Sequence, residues 1–150
     1  MTAYPDTSFL CAMYRFQANS RRAAAHFAAM SEPLHVASPL LYEFRQSTRW
    51  QVFLHSKDRS KGFDRMTAQA SLAKLQENIA SGALVVVPVD WADVANIAER
   101  LSARHTWTQG YRVFDILHVA SALHLGASEF LTFDANQKHL AKAQDLRVPL

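Results

Sequence analysis

The chain has 150 residues, 49% of them hydrophobic and 19% charged, with four glycines and five prolines. That length suits a single domain with one core, residues 1–150, and the balance of apolar and charged residues excludes a disordered chain. A net charge of +3 permits a polyanionic partner without requiring one, and the one cysteine, Cys11, rules out an intrachain disulfide and a Cys-based metal site. A lone thiol suits a reducing cytoplasm.

At the start of the chain, an acid at Asp6, no basic run before Arg15 and the short apolar stretch FLCAMY predict no secretion signal. AY before Pro5 reads as a short first strand that delivers Asp6 to its end. Phe9 to Ala18 and Ser20 to Met30 read as helices, with capping residues among Asp6 to Ser8 and at Asn19 or Ser20. LHVA from Leu34 reads as a strand, and Ser38-Pro39 places a cap and a first-turn proline before a long helix to about His55. A charged turn, HSKDRSKGF, leads to a helix capped by Asp64 and stopped by Gly82. ALVVVPV then predicts a strand buried on both faces, with Asp90 opening the next helix.

TWTQGYR reads as a polar loop, followed by a helix over Asp115 to Leu125, Gly126 as its stop, a strand over Glu129 to Phe133, a last helix and the tail RVPL. The longest uncharged stretch here, ILHVASALHLGAS, has thirteen residues, short of the ~20 that cross a bilayer, so no membrane segment is expected. Helices alternating with strands predict an α/β fold: a mainly parallel central sheet of about five strands, covered by helices on both faces in three layers.

This order of elements brings acids together. An eleven-residue helix climbs ~16 Å and a five-residue strand returns about as far, so Asp115 and Asp134 belong at one edge of the sheet. That is the carboxyl edge, where open α/β sheets bind ligands and where Asp6 also falls. Glu43 lies on a mostly apolar helical row with Leu40, Ser47, Trp50 and Leu54 and does not point cleanly at water. Gathered carboxylates repel one another, and a hard divalent cation such as Mg²⁺ or Mn²⁺ offsets that repulsion.

Each acid has a plainer reading as well: Asp6, Asp115 and Asp134 as helix caps, and Glu43 as a helix residue whose stem reaches solvent. Asp90 reads as a cap, His118 as a satisfied core histidine, Arg45 and Arg49 as solvated surface, and Phe16, Phe27 and Phe44 as core. Arg112, in a loop three residues before Asp115, is the better phosphate contact. Phosphate-binding glycine loops, H-E-x-x-H and G-x-S-x-G are all missing, and Ser8 stands where a haloacid-dehalogenase phosphatase needs a second Asp.

YPDTSFL, then SPLLYEFR, then FDILHVASALHLG followed by FLTFD, together resemble a PIN domain of the bacterial VapC toxin type. The resemblance runs from Tyr4 to the final strand, departing at Pro5, where the family carries an apolar strand residue and where the strand is expected to shorten. It implies that Asp6, Glu43, Asp115 and Asp134 form a catalytic Mg²⁺ or Mn²⁺ site supported by Ser8 and Thr132. It further implies endoribonuclease activity leaving 5′-phosphate and 3′-hydroxyl ends, a cognate antitoxin and a homodimer. The alternatives are a PIN module that binds without cutting, and a nuclease of the same superfamily directed at DNA.

Overall fold

The computed structural model describes residues 3–150. In chain order the elements are β1 (Ala3–Pro5), α1 (Thr7–Tyr14), α2 (Ser20–Ala28), β2 (Leu34–Val36), α3 (Ser38–Lys57), α4 (Arg65–Ala80), β3 (Leu84–Val86), α5 (Trp91–Gln109), α6 (Val113–His124), β4 (Glu129–Leu131) and α7 (Ala135–Lys142). β1 and β4 pair in parallel with Ala3 opposite Glu129 and Pro5 opposite Leu131. β2 and β3 pair likewise, Leu34 opposite Leu84. The two pairs meet where β1 lies beside β2, and the outer edge of β4 meets Arg147 through a single parallel bridge at Glu129.

The α/β architecture with parallel strands is as expected, but the expectation of about five strands is not met among the described residues. There are four strands of three residues each, with the Arg147 bridge at the far edge. β1 does run through Pro5. ALVVVPV, expected to be buried on both faces, forms a strand only over Leu84–Val86, and Val86 is 41% exposed. β3 has β2 as its one partner strand among the described residues, and an edge strand leaves alternate side chains open to water.

α1 to α4 pack among themselves, α5 to α7 do the same, and β1 touches both α1 and α6, so the strands lie between two helical groups. The core they share includes Tyr4, Phe9, Leu10, Phe44, Val119, Phe130 and Leu140, each at most 1% exposed. α1 ends at Tyr14, earlier than the expected Ala18, because Arg15 leaves the helix in an extended conformation. Its guanidinium reaches α3, donating to Thr48 Oγ1 at 2.7 Å and to the Phe44 carbonyl at 3.3 Å, and it lies over the Phe44 and Phe63 rings. Phe16, now outside the helical register, is fully exposed and not a core residue.

α5 runs through TWTQ to Gln109, so the expected polar loop shrinks to Gly110–Arg112. Gly110 ends the helix at φ +65°, a left-handed turn that disfavours any residue with a Cβ. This abrupt reversal lets α6 begin at Val113, which makes Asp115 the third helical residue and not the first.

Candidate active site

Asp6 follows β1 directly and is fully buried, and its N–H extends the ladder by donating to the Leu131 carbonyl at 3.0 Å. One carboxylate oxygen accepts from the Ser8 hydroxyl at 2.7 Å and from the Phe9 N–H at 2.9 Å. The other accepts from the Thr132 hydroxyl at 2.6 Å. These partners tie the end of β1 to the end of β4: Thr132 Oγ1 accepts the Asp134 N–H at 2.9 Å, and Ser8 Oγ accepts the Phe133 N–H at 2.8 Å. Burial pushes the Asp6 carboxyl up to about 6, against the hydrogen bonds from Ser8, Thr132 and Phe9 and the nearby charge of His118, all of which favour the ionised form.

Glu43, from the second turn of α3, is partly open, its side chain 31% exposed. One oxygen accepts from the Thr7 hydroxyl and meets His118 Nε2 at 2.6 Å. Burial alone would raise its pKa, but the hydrogen bonds from His118 and Thr7, with the charges of His118 and Arg112, outweigh it and hold the carboxyl below the usual range. Asp115 is buried in the first turn of α6, one oxygen accepting from the Arg112 N–H at 3.1 Å and from Arg112 Nε at 3.2 Å. Arg112 is 78% exposed, and its hydrogen bond and ion pair with Asp115 raise its pKa. Asp134 caps α7, accepting the Gln137 N–H at 2.9 Å.

His118 and Arg112 each act on more than one of the four acids. His118 contacts Glu43 and acts electrostatically on Asp6, while Arg112 contacts Asp115 and acts on Asp134 and Glu43. A cleft is lined by Glu43, Arg112, Val113, Phe114 and Asp115, while Asp6 lies fully buried. Asp6, Asp115 and Asp134 also cap helices, so the plainer reading and the site reading coincide in the same atoms. Asp90 caps α5 as expected, accepting the Ala92 N–H at 2.9 Å.

His118 is buried as read, but the partner that satisfies it is Glu43, which draws it into the site. Its place one turn after Asp115 was the available signal. Thr7 was not singled out by sequence reasoning, and nothing but its neighbours Asp6 and Ser8 marked it. Among the described residues, no three of His, Cys, Asp and Glu stand close enough together to hold a metal ion with their side chains as placed. The donor chemistry still fits a hard cation: the acids at this edge are carboxylates flanked by hydroxyls, and the buried charge of Asp6 touches only neutral donors.

A fold of parallel strands between helices, with acids at the carboxyl ends of β1 and β4, is that of the PIN domain, and the PIN family model matches residues 3–143. The chain belongs to this family. In structure it is similar to VapC20 of Mycobacterium tuberculosis, a sarcin-ricin loop cleaving toxin, with a TM-score of 0.65 at 19% identity over 92% of this chain and 94% of that one. It is likewise similar to FitAcB from Neisseria gonorrhoeae, with a TM-score of 0.65 at 18% identity over 98% and 96% of the two chains. VapBC2 from Rickettsia felis, bound to a DNA fragment from its promoter, gives 0.64 at 15% identity over 99% and 97%. No curated protein sequence matches the chain.

Proposed function

We propose that this chain is a divalent-metal-dependent endoribonuclease and the toxin of a toxin-antitoxin pair. The observation that carries the reading is Asp6: a fully buried carboxylate at the carboxyl end of β1, fixed through both oxygens by neutral donors, beside Glu43, Asp115 and Asp134. A carboxylate with a pKa near 6 and, among the described residues, no cation in contact is desolvated without full compensation, which favours a cationic ligand at neutral pH. Asp6, Glu43, Asp115 and Asp134 would hold Mg²⁺ or Mn²⁺. When bound, such an ion supplies an activated water and offsets charge on the phosphodiester, consistent with 5′-phosphate and 3′-hydroxyl products.

The chain's own groups do the rest. Ser8 and Thr132 fix the Asp6 carboxylate against rotation, and Thr7 and His118 do the same for Glu43. Arg112, largely exposed beside the cleft, is placed to meet a phosphate. The toxin reading draws further support from VapC20, a sarcin-ricin loop cleaving toxin with the same fold, and from the VapBC2 assembly. By the same likeness, the chain forms a homodimer and is held by a cognate antitoxin over the acidic cleft.

The test is cleavage of total cellular RNA in Mg²⁺ or Mn²⁺ by the parent chain and by Asp6→Asn, with folding checked by circular dichroism. Loss of activity by at least ~100-fold in the variant, and in chelator for the parent, is expected from removing charge stabilisation at the reacting centre. Equal cleavage by the variant, or cleavage that persists in chelator, overturns the carboxylate mechanism. A folded parent with no activity on any cellular RNA leaves the non-cutting module as the better reading.

A further inference from the structure

We infer that the exposed face of α3 running away from Glu43 is a stacking platform for the bases of single-stranded RNA, an extension of the site that rests on the ribonuclease reading. Residues seven apart in an α-helix are close to two full turns apart, so Trp50 and Lys57 follow Glu43 along nearly one line, ~10 Å and ~21 Å further on. Phe53 lies beside this line. Trp50 is 51% and Phe53 47% exposed, while the core side of α3 is occupied by Leu40, Leu41, Phe44 and Thr48. The two rings stack with centroids 5.0 Å apart at 28°, and Lys57 Nζ lies 5.5 Å from the Phe53 centroid.

No core demand accounts for two large aromatics left side by side in water, and clustered exposed apolar surface marks a place of interaction. Charge selects the occupant. Glu43 is the sole acid from Ser38 to Lys57, whereas Arg45, Arg49 and Lys57 are cations, and none of the three enters an ion pair among the described residues. A half-exposed Trp50 ring backed by Phe53, on a helix that also carries unpaired cations, suits a single strand, because every base offers a π-face and every phosphate a charge. The line of Trp50 and Lys57 would lead such a strand toward the carboxylates.

The test uses the Asp6→Asn chain in chelator, so that RNA stays intact, and reads the anisotropy of a fluorescein-labelled oligouridylate of about twenty nucleotides, a length that spans several single-strand sites. Trp50→Ala with Phe53→Ala is expected to weaken binding about tenfold or more, as loss of base stacking does. Trp50→Phe, which keeps a ring, should bind nearly as the parent does. Trp50→Leu, which keeps apolar bulk without a ring, should bind like the alanine variant, and duplex RNA of the same length should not distinguish any of them. Because these side chains are exposed, circular dichroism and melting should be unchanged in all.

Unchanged oligouridylate affinity in the double variant, or no binding by the parent, overturns the proposal. So does a double variant that changes sedimentation behaviour while binding RNA as before, which would make this face an interface with protein. Cleavage of total RNA by the chain with Asp6 intact reports separately on the underlying reading: Asp6-dependent cutting with unchanged oligouridylate affinity would sink the platform alone.

Discussion

Asp6 and Asp115 carry the same group and are both buried, yet their charges are met by different means. Asp6 touches hydroxyls and a backbone N–H, and His118 acts on it electrostatically without a hydrogen bond. Asp115 is held by the Arg112 guanidinium and N–H, at the rim of an open cleft. Neutral donors hold the position of a carboxylate without cancelling its charge, whereas an ion pair does both. The difference teaches that the Asp6 half of the site is where ionisation opposes folding, while the Asp115 half holds its carboxylate in an ion pair with Arg112.

The sharpest way to break this contrast is Asp6→Asn in chelator. The Asp6 pKa is raised in the folded chain, so its contribution to stability is present at pH below its ordinary value near 3.8 and is lost as pH rises through about 6. Above pH 6 the buried charge therefore costs up to about 3 kcal/mol, and the asparagine variant should be more stable than the parent by up to that amount at pH 7.5. At pH 4.5 the gap should narrow to about 1 kcal/mol, since folded Asp6 is then protonated. Urea unfolding at the two pH values reads this, and a gap of equal size at both would show that charge is not its cause.

Metal comes next in size. Mn²⁺ at a hundredfold excess over its Kd should stabilise the parent by about 2.7 kcal/mol through mass action, and Asp6→Asn by much less. Thermal melts with and without Mn²⁺ check this, and an identical gain in both chains would remove Asp6 from the donor set. Asp115→Asn in chelator should go the other way, lowering stability by ~1 kcal/mol as the first turn of α6 loses its charged anchor. A rise in its melting temperature would mean that repulsion among the acids outweighs the Arg112 pair. Arg112→Ala should have the smallest effect on stability, within ~1 kcal/mol for an ion pair with one exposed partner, while raising KM for RNA more than it lowers kcat. A kcat effect without a KM effect would take Arg112 out of substrate binding.

The order of elements could be read from the sequence because its punctuation is local. Pro39 within the first turn of α3, and Asp64, Asp90 and Gly126 at helix boundaries, act through backbone atoms a few residues away. The acids of the candidate site were legible for a related reason, since three of them also cap helices and so mark the ends of elements. Depth in the sheet was not legible: a β-branched run such as ALVVVPV reads alike for a central and an edge strand, and its partners decide which it is. Phe16 was misplaced because the end of α1 depends on where the Arg15 guanidinium finds partners in α3, some thirty residues on. The Glu43 partners His118 and Thr7 were hidden likewise, since their separations of 75 and 36 residues carry no local pattern.

The hydrogen bond from Thr132 to Asp6 spans 126 positions of the chain. A ribosome adding about 5–20 residues each second needs roughly 6–25 s to travel that far. Until then the first strand lacks the parallel neighbour that closes its edge, and the Asp6 carboxylate lacks the Thr132 hydroxyl. The two sides of the site are thus made 126 positions apart. A growing polypeptide cannot carry a finished centre until the strand bearing Thr132 has left the exit tunnel, so assembly itself delays whatever chemistry that centre performs until then.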